Sequence, residues 1–228
     1  MPLRSILQTA HALSYYMRRQ EIVANNLANA SSTAFKGDRI AAHLSADGPW
    51  PEAVASLDLR QGNQRETGRP LDLALEGAGF LVVRTPEGDR LSRGGSLSLD
   101  PGGILTDGHG HPVLGQDGPI VLAGTHIKIE ADGTVLSGGE PAGRLRLVTV
   151  ADPATLAKRG SGHFATEAAL LPADAVMVRQ GMLEEANVEP TTGMVDLISI
   201  QRAWAANLEV VRTMDSVLGT VTGEVGKV

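Results

Sequence analysis

The chain has 228 residues, of which 42% are hydrophobic and 20% charged, proportions that exclude a disordered tail. A formal net charge of −6 argues against a surface built to grip nucleic-acid phosphates. With Cys 0 and aromatics at 3%, disulfide staples, thiolate nucleophiles and Cys-ligated zinc are excluded, and the core must be aliphatic.

Glycine divides the chain. Of 27 glycines none falls in residues 1–36, 23 fall in 37–181 and four in 182–228. Glycine weakens helices and serves turns, so the ends read as helical and the middle as turns and short strands. The ends also differ in sign, +3 over residues 1–36 and −4 over 182–228, as expected of two helical segments that pack together. The resulting expectation is an α+β chain: long N- and C-terminal helices pairing as a coiled coil, with a central all-β domain of hairpins. Its expected boundaries are 1–36, 37–69, 70–180 and 181–228.

In the first segment Ile6, Ala10, Leu13, Met17, Ala24 and Leu27 recur at alternating steps of four and three, with Gln20 as the polar member. This is a heptad-type seam, in which one polar residue can fix register. Gln8, Thr9 and His11 interrupt the apolar character, and Arg18 and Arg19 close it, so a cleavable secretory signal is not expected. No apolar run approaches the length of a bilayer span. An ordinary amphipathic core helix and a membrane-surface helix are the alternatives, but a partner helix is available in the same chain and the seam is narrow. Asn25, Asn26 and Asn29 cluster at the helix exit. Asparagine tolerates left-handed backbone and caps turns, so a helix stop and an intersubunit hydrogen-bonding role are both open. Phe35 is expected to anchor the following segment onto the β domain or a neighbour.

Residues 37–69 are weakly patterned, hold Trp50 between two prolines, and read as an extended linker with one hairpin. From Pro70 to Val178 short apolar runs alternate with turn signals. Leu71, Leu73 and Leu75 alternate with Asp72 and Ala74, and Phe80 to Val83 forms a buried run. Later runs centre on Leu97, Val113, Ile120, Ile127, Val135 and Leu145 to Val150. Asp107-Gly108, Asp117-Gly118, Asp132-Gly133 and Gly138-Gly139 punctuate them, the pattern of an all-β domain of hairpins.

The last segment repeats the seam with Leu197, Ile200, Trp204, Val211, Met214, Leu218 and Val221, and Asn207 as its polar member. Pro190-Thr191-Thr192 signals its start, and Glu184, Glu185 and Glu189 read as a solvated face before it. Each helix would run about 40 Å at the usual rise per residue.

Catalytic chemistry finds little footing. Asp107, His109 and His111 could ligate a metal, but glycines and proline crowd them and no further histidine cluster lies nearby in sequence, so the stretch reads as a solvent-exposed turn. Gly77-Ala78-Gly79 is not followed by a helix and is no dinucleotide loop. No catalytic, cofactor or metal residue is expected, and no cofactor.

The stretch Val23-Ala24-Asn25-Asn26-Leu27-Ala28-Asn29-Ala30-Ser31-Ser32-Thr33-Ala34-Phe35-Lys36 resembles the N-terminal signature of bacterial flagellar rod, hook and hook-associated proteins. Gly181 to Pro190, Met194 to Ile198 and Gln201-Arg202-Ala203-Trp204 are similar to the matching C-terminal motif. Pro70 to Leu75, Gly79 to Val83, Gly94 to Leu97 and Gly110 to Gly115 are similar to the rod-protein β domain. Trp204 stands where the family usually has tyrosine and Gly193 where an acidic residue is common. The short 37–69 segment favours the proximal rod over distal rod or hook subunits.

The resemblance implies a structural axial subunit of the flagellar basal body, not an enzyme. It would be exported by the flagellar type III apparatus without a cleaved signal and assemble helically around the export channel, spanning the periplasm and transmitting torque. Its partners would be copies of itself and other rod proteins, with no nucleic acid and no membrane insertion. The residues expected to carry assembly are Leu13, Met17, Gln20, Asn25, Asn26, Leu27, Asn29 and Phe35 on the N-terminal side. On the C-terminal side they are Leu197, Ile200, Gln201, Trp204, Asn207, Leu208 and Val211. The rival from another class is a small enzyme or binding domain with a helical dimerisation arm.

Overall fold

The computed structural model describes residues 2–44, 51–124 and 126–225. Trp50 lies outside the described residues, as do the side chains of Ile6, Leu218 and Val221. Two helices bracket the chain, α1 over Pro2–Ala28 and α2 over Pro190–Val225. Between them runs a series of short antiparallel strands.

The expected α+β class with coiled-coil helices is corrected here. Among the described residues the chain has eighteen short strands and only these two α-helices, with a single 3-10 turn at Pro153–Thr155. The two helices lie against each other, but the expected seam is not a buried one. Ala10, Met17 and Ala24 are exposed, Leu13, Gln20 and Leu27 are half-buried, and of the C-terminal seam residues described only Ile200 is buried. On α1 the protected positions form a band along Thr9, Ala12, Leu13, Tyr15, Tyr16, Arg19, Gln20, Val23, Asn26 and Leu27, with Ile22 buried beside them. The protected stripe thus departs from the predicted one at Ala10, Met17 and Ala24, each displaced by one residue. The physical reason is that spacing fixes the period of a face, while the partner selects its phase.

The chain forms two compact units. One contains residues 1–28, 38–56 and 188–228, and the other residues 29–37 and 57–187. In the first, the strands Asp38–Leu44 and Pro51–Leu57 pair as a two-stranded sheet. The Asn26 amide mimics a backbone pair. Its Nδ2 donates to the Asp38 carbonyl at 2.8 Å and its Oδ1 accepts the Asp38 N–H at 2.9 Å. This bond ties the last turn of α1 to the start of the hairpin.

The second unit is the all-β centre. Its largest sheet has six strands in the order Ala157–Lys158, His163–Ala165, Gly88–Ser92, Phe80–Thr85, Leu147–Val150 and Leu170–Pro172. A three-stranded sheet places Asp72–Glu76 between Met177–Gln180 and Gly94–Ser96. Leu73, Ala74 and Leu75 are all 0% exposed, so the predicted alternation is buried on both faces. Apolar burial at about 25 cal/mol per Å² is the main driving force of such a core. Leu73, Leu75, Leu81, Val113 and Val135 share one cluster, and Phe80, Val82, Leu91 and Phe164 a second. Gly94 lies at φ +94°, and a Cβ there would come within 2.5 Å of the Leu73 carbonyl oxygen. Only glycine admits that approach of the two strands.

Candidate functional site

The chain enters and leaves the β unit through residues 29–37 and 181–187, and a buried polar node joins these segments. Lys36 and Glu184 have side chains 0% exposed and form an ion pair. The second Glu184 oxygen accepts from Arg93 Nη2 at 2.9 Å, and Oε1 also accepts the Gly62 N–H at 3.0 Å. Lys36 Nζ donates further to the Arg60 carbonyl at 2.7 Å. Arg93 is spent on the carbonyls of Leu75, Gly77 and Gly79. Among the described residues no buried side-chain polar atom lacks a partner, the condition under which buried charge is tolerated. Burial pushes the Lys36 ammonium below the usual lysine range, and the hydrogen bond and charge of Glu184 oppose that shift.

Asn187 completes the node. Its Oδ1 accepts the Gly37 N–H at 2.7 Å, and its Nδ2 donates to the carbonyls of Asp58 and Arg60 at 2.7 and 2.9 Å. Main-chain bonds from Ala34 N–H to the Glu184 carbonyl and from Asn187 N–H to the Phe35 carbonyl run alongside. The reading of Glu184 as part of a solvated face is therefore corrected: it is 1% exposed, while Glu185 and Glu189 are exposed. Sequence reasoning missed Glu184, Arg93 and Asn187 as one unit. The available signal was that Lys36 closes the N-terminal motif and Glu184 and Asn187 sit within the C-terminal one.

The predicted asparagines separate. Asn25 is exposed, Asn26 holds the hairpin, and Asn29 follows directly on α1, its carbonyl accepting the Ser32 N–H at 2.9 Å in a turn. Phe35 is half-buried, with Lys158 Nζ 4.5 Å above its ring centre. Asn207 Nδ2 donates to the Ala203 carbonyl of its own helix at 2.8 Å. Leu197, Trp204, Leu208 and Val211 are half-buried and Gln201 is exposed. Between the helices Arg19 Nη2 lies 3.6 Å from Asp196 Oδ1, and a Cβ on Gly193 would stand 3.9 Å from Leu27 Cδ1. Large apolar residues remain uncovered: Met17 on α1 is 55% exposed, and Met194, Val195, Ile198, Val210 and Val217 on α2 lie between 45% and 63%.

The Asp107 turn is also corrected. It is not a solvent-exposed turn throughout, because Asp107 is 6% exposed and His163 joins it from 56 positions away. Burial pushes the Asp107 carboxyl up, but hydrogen bonds from His163 and from the His111 and His109 N–H groups hold it well below the usual carboxylate range.

Comparison with known proteins decides the family. The flagellar basal body rod FlgEFG protein C-terminal family matches residues 179–223, the span that carries Glu184, Asn187 and most of α2. The flagellar hook protein FlgE/F/G D1 domain family matches residues 74–137. Flagellar basal-body rod protein FlgF of Escherichia coli is 35% identical, with 91% of this chain and 92% of that protein covered. The Caulobacter vibrioides FlgF is 33% identical, covering 87% of each.

The chain belongs to the flagellar basal-body rod protein family.

This rod protein is of the proximal rod type, like the FlgF relatives. A more distant member, the basal-body rod protein FlgG of Bacillus subtilis, is 26% identical over 95% of this chain and 97% of its own length. The family is a structural one of the flagellar rod and hook, and in this rod protein the segment after α1 meets the C-terminal matched span at Lys36 and Glu184. No helix among its described residues is long and apolar enough to cross a membrane.

Proposed function

We propose that this rod protein is a non-catalytic axial subunit that stacks helically with copies of itself and with other rod proteins around the export channel. The observation that carries this reading is the set of apolar residues left uncovered on the terminal helices of a rod-family chain. Met194, Val195 and Ile198 are exposed within little more than one turn of α2, and Met17, Val210 and Val217 are exposed elsewhere on the helices; apolar residues gathered on one face mark an interaction surface. Contacts that do not close into a ring give open filaments, so one such face suffices to propagate a rod. Leu13, Leu27, Leu197, Ile200, Trp204, Leu208 and Val211 hold each subunit's helices. Met17, Asn25 and Gln201 face the neighbours. The type III apparatus delivers the chain, and the assembled rod spans the periplasm and carries torque.

The test is a Val195→Asp, Ile198→Asp double variant expressed in a flagellated strain lacking the native protein. The isolated variant should keep its helical circular dichroism and be secreted, yet be absent from purified basal bodies, and cells should be non-motile. Motile cells with the variant present in their rods would refute the reading.

A further inference from the structure

Along the sequence, Asp107, His109 and His111 are crowded by glycines and proline and have no further histidine cluster nearby. The fold supplies a further histidine. Asp107 follows the strand Leu105–Thr106, and its turn is closed by the Asp107 N–H to His111 carbonyl bond at 2.9 Å. His163 begins the strand His163–Ala165, paired opposite Ser92. These two pieces of sheet bring a carboxylate and two imidazoles to one point. Asp107 Oδ1 is occupied, accepting the N–H groups of His109 and His111 at 2.9 and 2.8 Å. Oδ2 is left facing both rings, 2.7 Å from His163 Nε2 and 3.3 Å from His111 Nδ1.

We infer that Asp107, His111 and His163 form a transition-metal site that takes Zn2+ or a chemically similar divalent ion. The three ligand atoms lie within 4.8 Å of one another. With metal–ligand bonds of about 2.0–2.2 Å, a tetrahedral site has ligand-to-ligand edges of about 3.3–3.6 Å. The His111 edge already has that length at 3.3 Å, and the His163 edge, at 2.7 Å, reaches it by opening about 0.6 Å. Two imidazoles and a carboxylate suit zinc, cobalt and nickel, whereas magnesium and calcium prefer all-oxygen shells.

Access and burial fit the assignment. The side chains of Asp107 and His163 are 8% and 6% exposed, but that of His111 is 26% exposed. A cleft lined by Thr85, Glu87, Arg90, Arg159 and Ser161 opens onto His111 and His163, leaving room for water as the fourth ligand. Arg90 is turned onto Glu87, at 3.3 Å, which offsets one of the two cations at the cleft mouth. His109 is exposed beside the cluster, its ring 5.9 Å from that of His163, a third nitrogen donor in reserve. The ion would clamp the 107–111 turn to the strand His163–Ala165 of the six-stranded sheet, a structural role.

The experiment is titration of the full chain, freed of metal, with Zn2+ by calorimetry and with Co2+ by visible absorption. One ion per chain and the intense absorption of a four-coordinate cobalt site are expected, with no displacement by excess Mg2+. His111→Gln, which keeps the Asp107–His163 contact and so the fold, should weaken zinc binding at least about tenfold, the least that disturbing a metal's immediate surroundings costs. His163→Gln should do the same, and His126→Gln, outside the cluster, should bind as wild type. Zinc binding unchanged in both cluster variants, or absent from the wild-type chain, would overturn the assignment.

Discussion

Lys36 and Glu184 meet as a fully buried ion pair although 148 positions separate them. Lys36 lies in the segment that follows α1, and Glu184 lies near the start of the span matched by the C-terminal rod family. One segment supplies a cation and the other the carboxylate, with Arg93 as the second cation on Glu184, and a buried charge of either sign is tolerated only when paired in this way.

Glu184→Gln removes the centre of this node and leaves Lys36 and Arg93 facing each other in a dry interior. Breaking a buried pair from one side costs about 3–5 kcal/mol, and urea unfolding should show a loss of that size. Lys36→Met should cost less, about 2 kcal/mol, because Arg93 and the Gly62 N–H still satisfy the carboxylate.

Lys36 gives a pH signature. Its folded pKa lies below the unfolded lysine value, so its penalty is fully present below the folded pKa and is relieved as pH rises toward the unfolded one, about 10.4. Over that window the unfolded state binds more protons, so stability rises with pH. The stability of wild type relative to Lys36→Met should therefore increase between neutral pH and about pH 10. A flat or falling difference in denaturant titrations would contradict the assigned direction.

Asn187→Ala deletes one acceptor and one amide donor that serve three backbone groups. Leaving part-buried backbone groups unpaired costs about 1–3 kcal/mol. Amide hydrogen exchange at Gly37 should quicken selectively, while the six-stranded sheet keeps its protection.

Gly94→Ala forces a Cβ to within 2.5 Å of the Leu73 carbonyl in a left-handed backbone conformation. The strand must move away from Asp72–Glu76, and the melting temperature should fall by about 2–4 °C for each kcal/mol lost, the scale for a chain of this length.

On α2 the contrast between inside and outside can be read directly. Ile200 is 1% exposed and Val195 63%. Ile200→Asp should melt the helix packing and lower the helical circular dichroism, whereas Val195→Asp should shift stability by no more than about 0.5 kcal/mol.

Much of this protein was legible in sequence. The absence of glycine before Gly37 and the three-and-four spacing determined two terminal helices, because only a helix rewards that period. Asp-Gly and Gly-Gly turns about every ten residues determined a β centre, because they supply the positive φ that tight reversals need. The terminal motifs identified the family. Tertiary structure alone decided which helix face is covered, since period is local but phase depends on the partner. It alone brought Lys36 to Glu184 and His163 to Asp107, since long-range backbone pairing joins segments that no spacing rule along the chain connects.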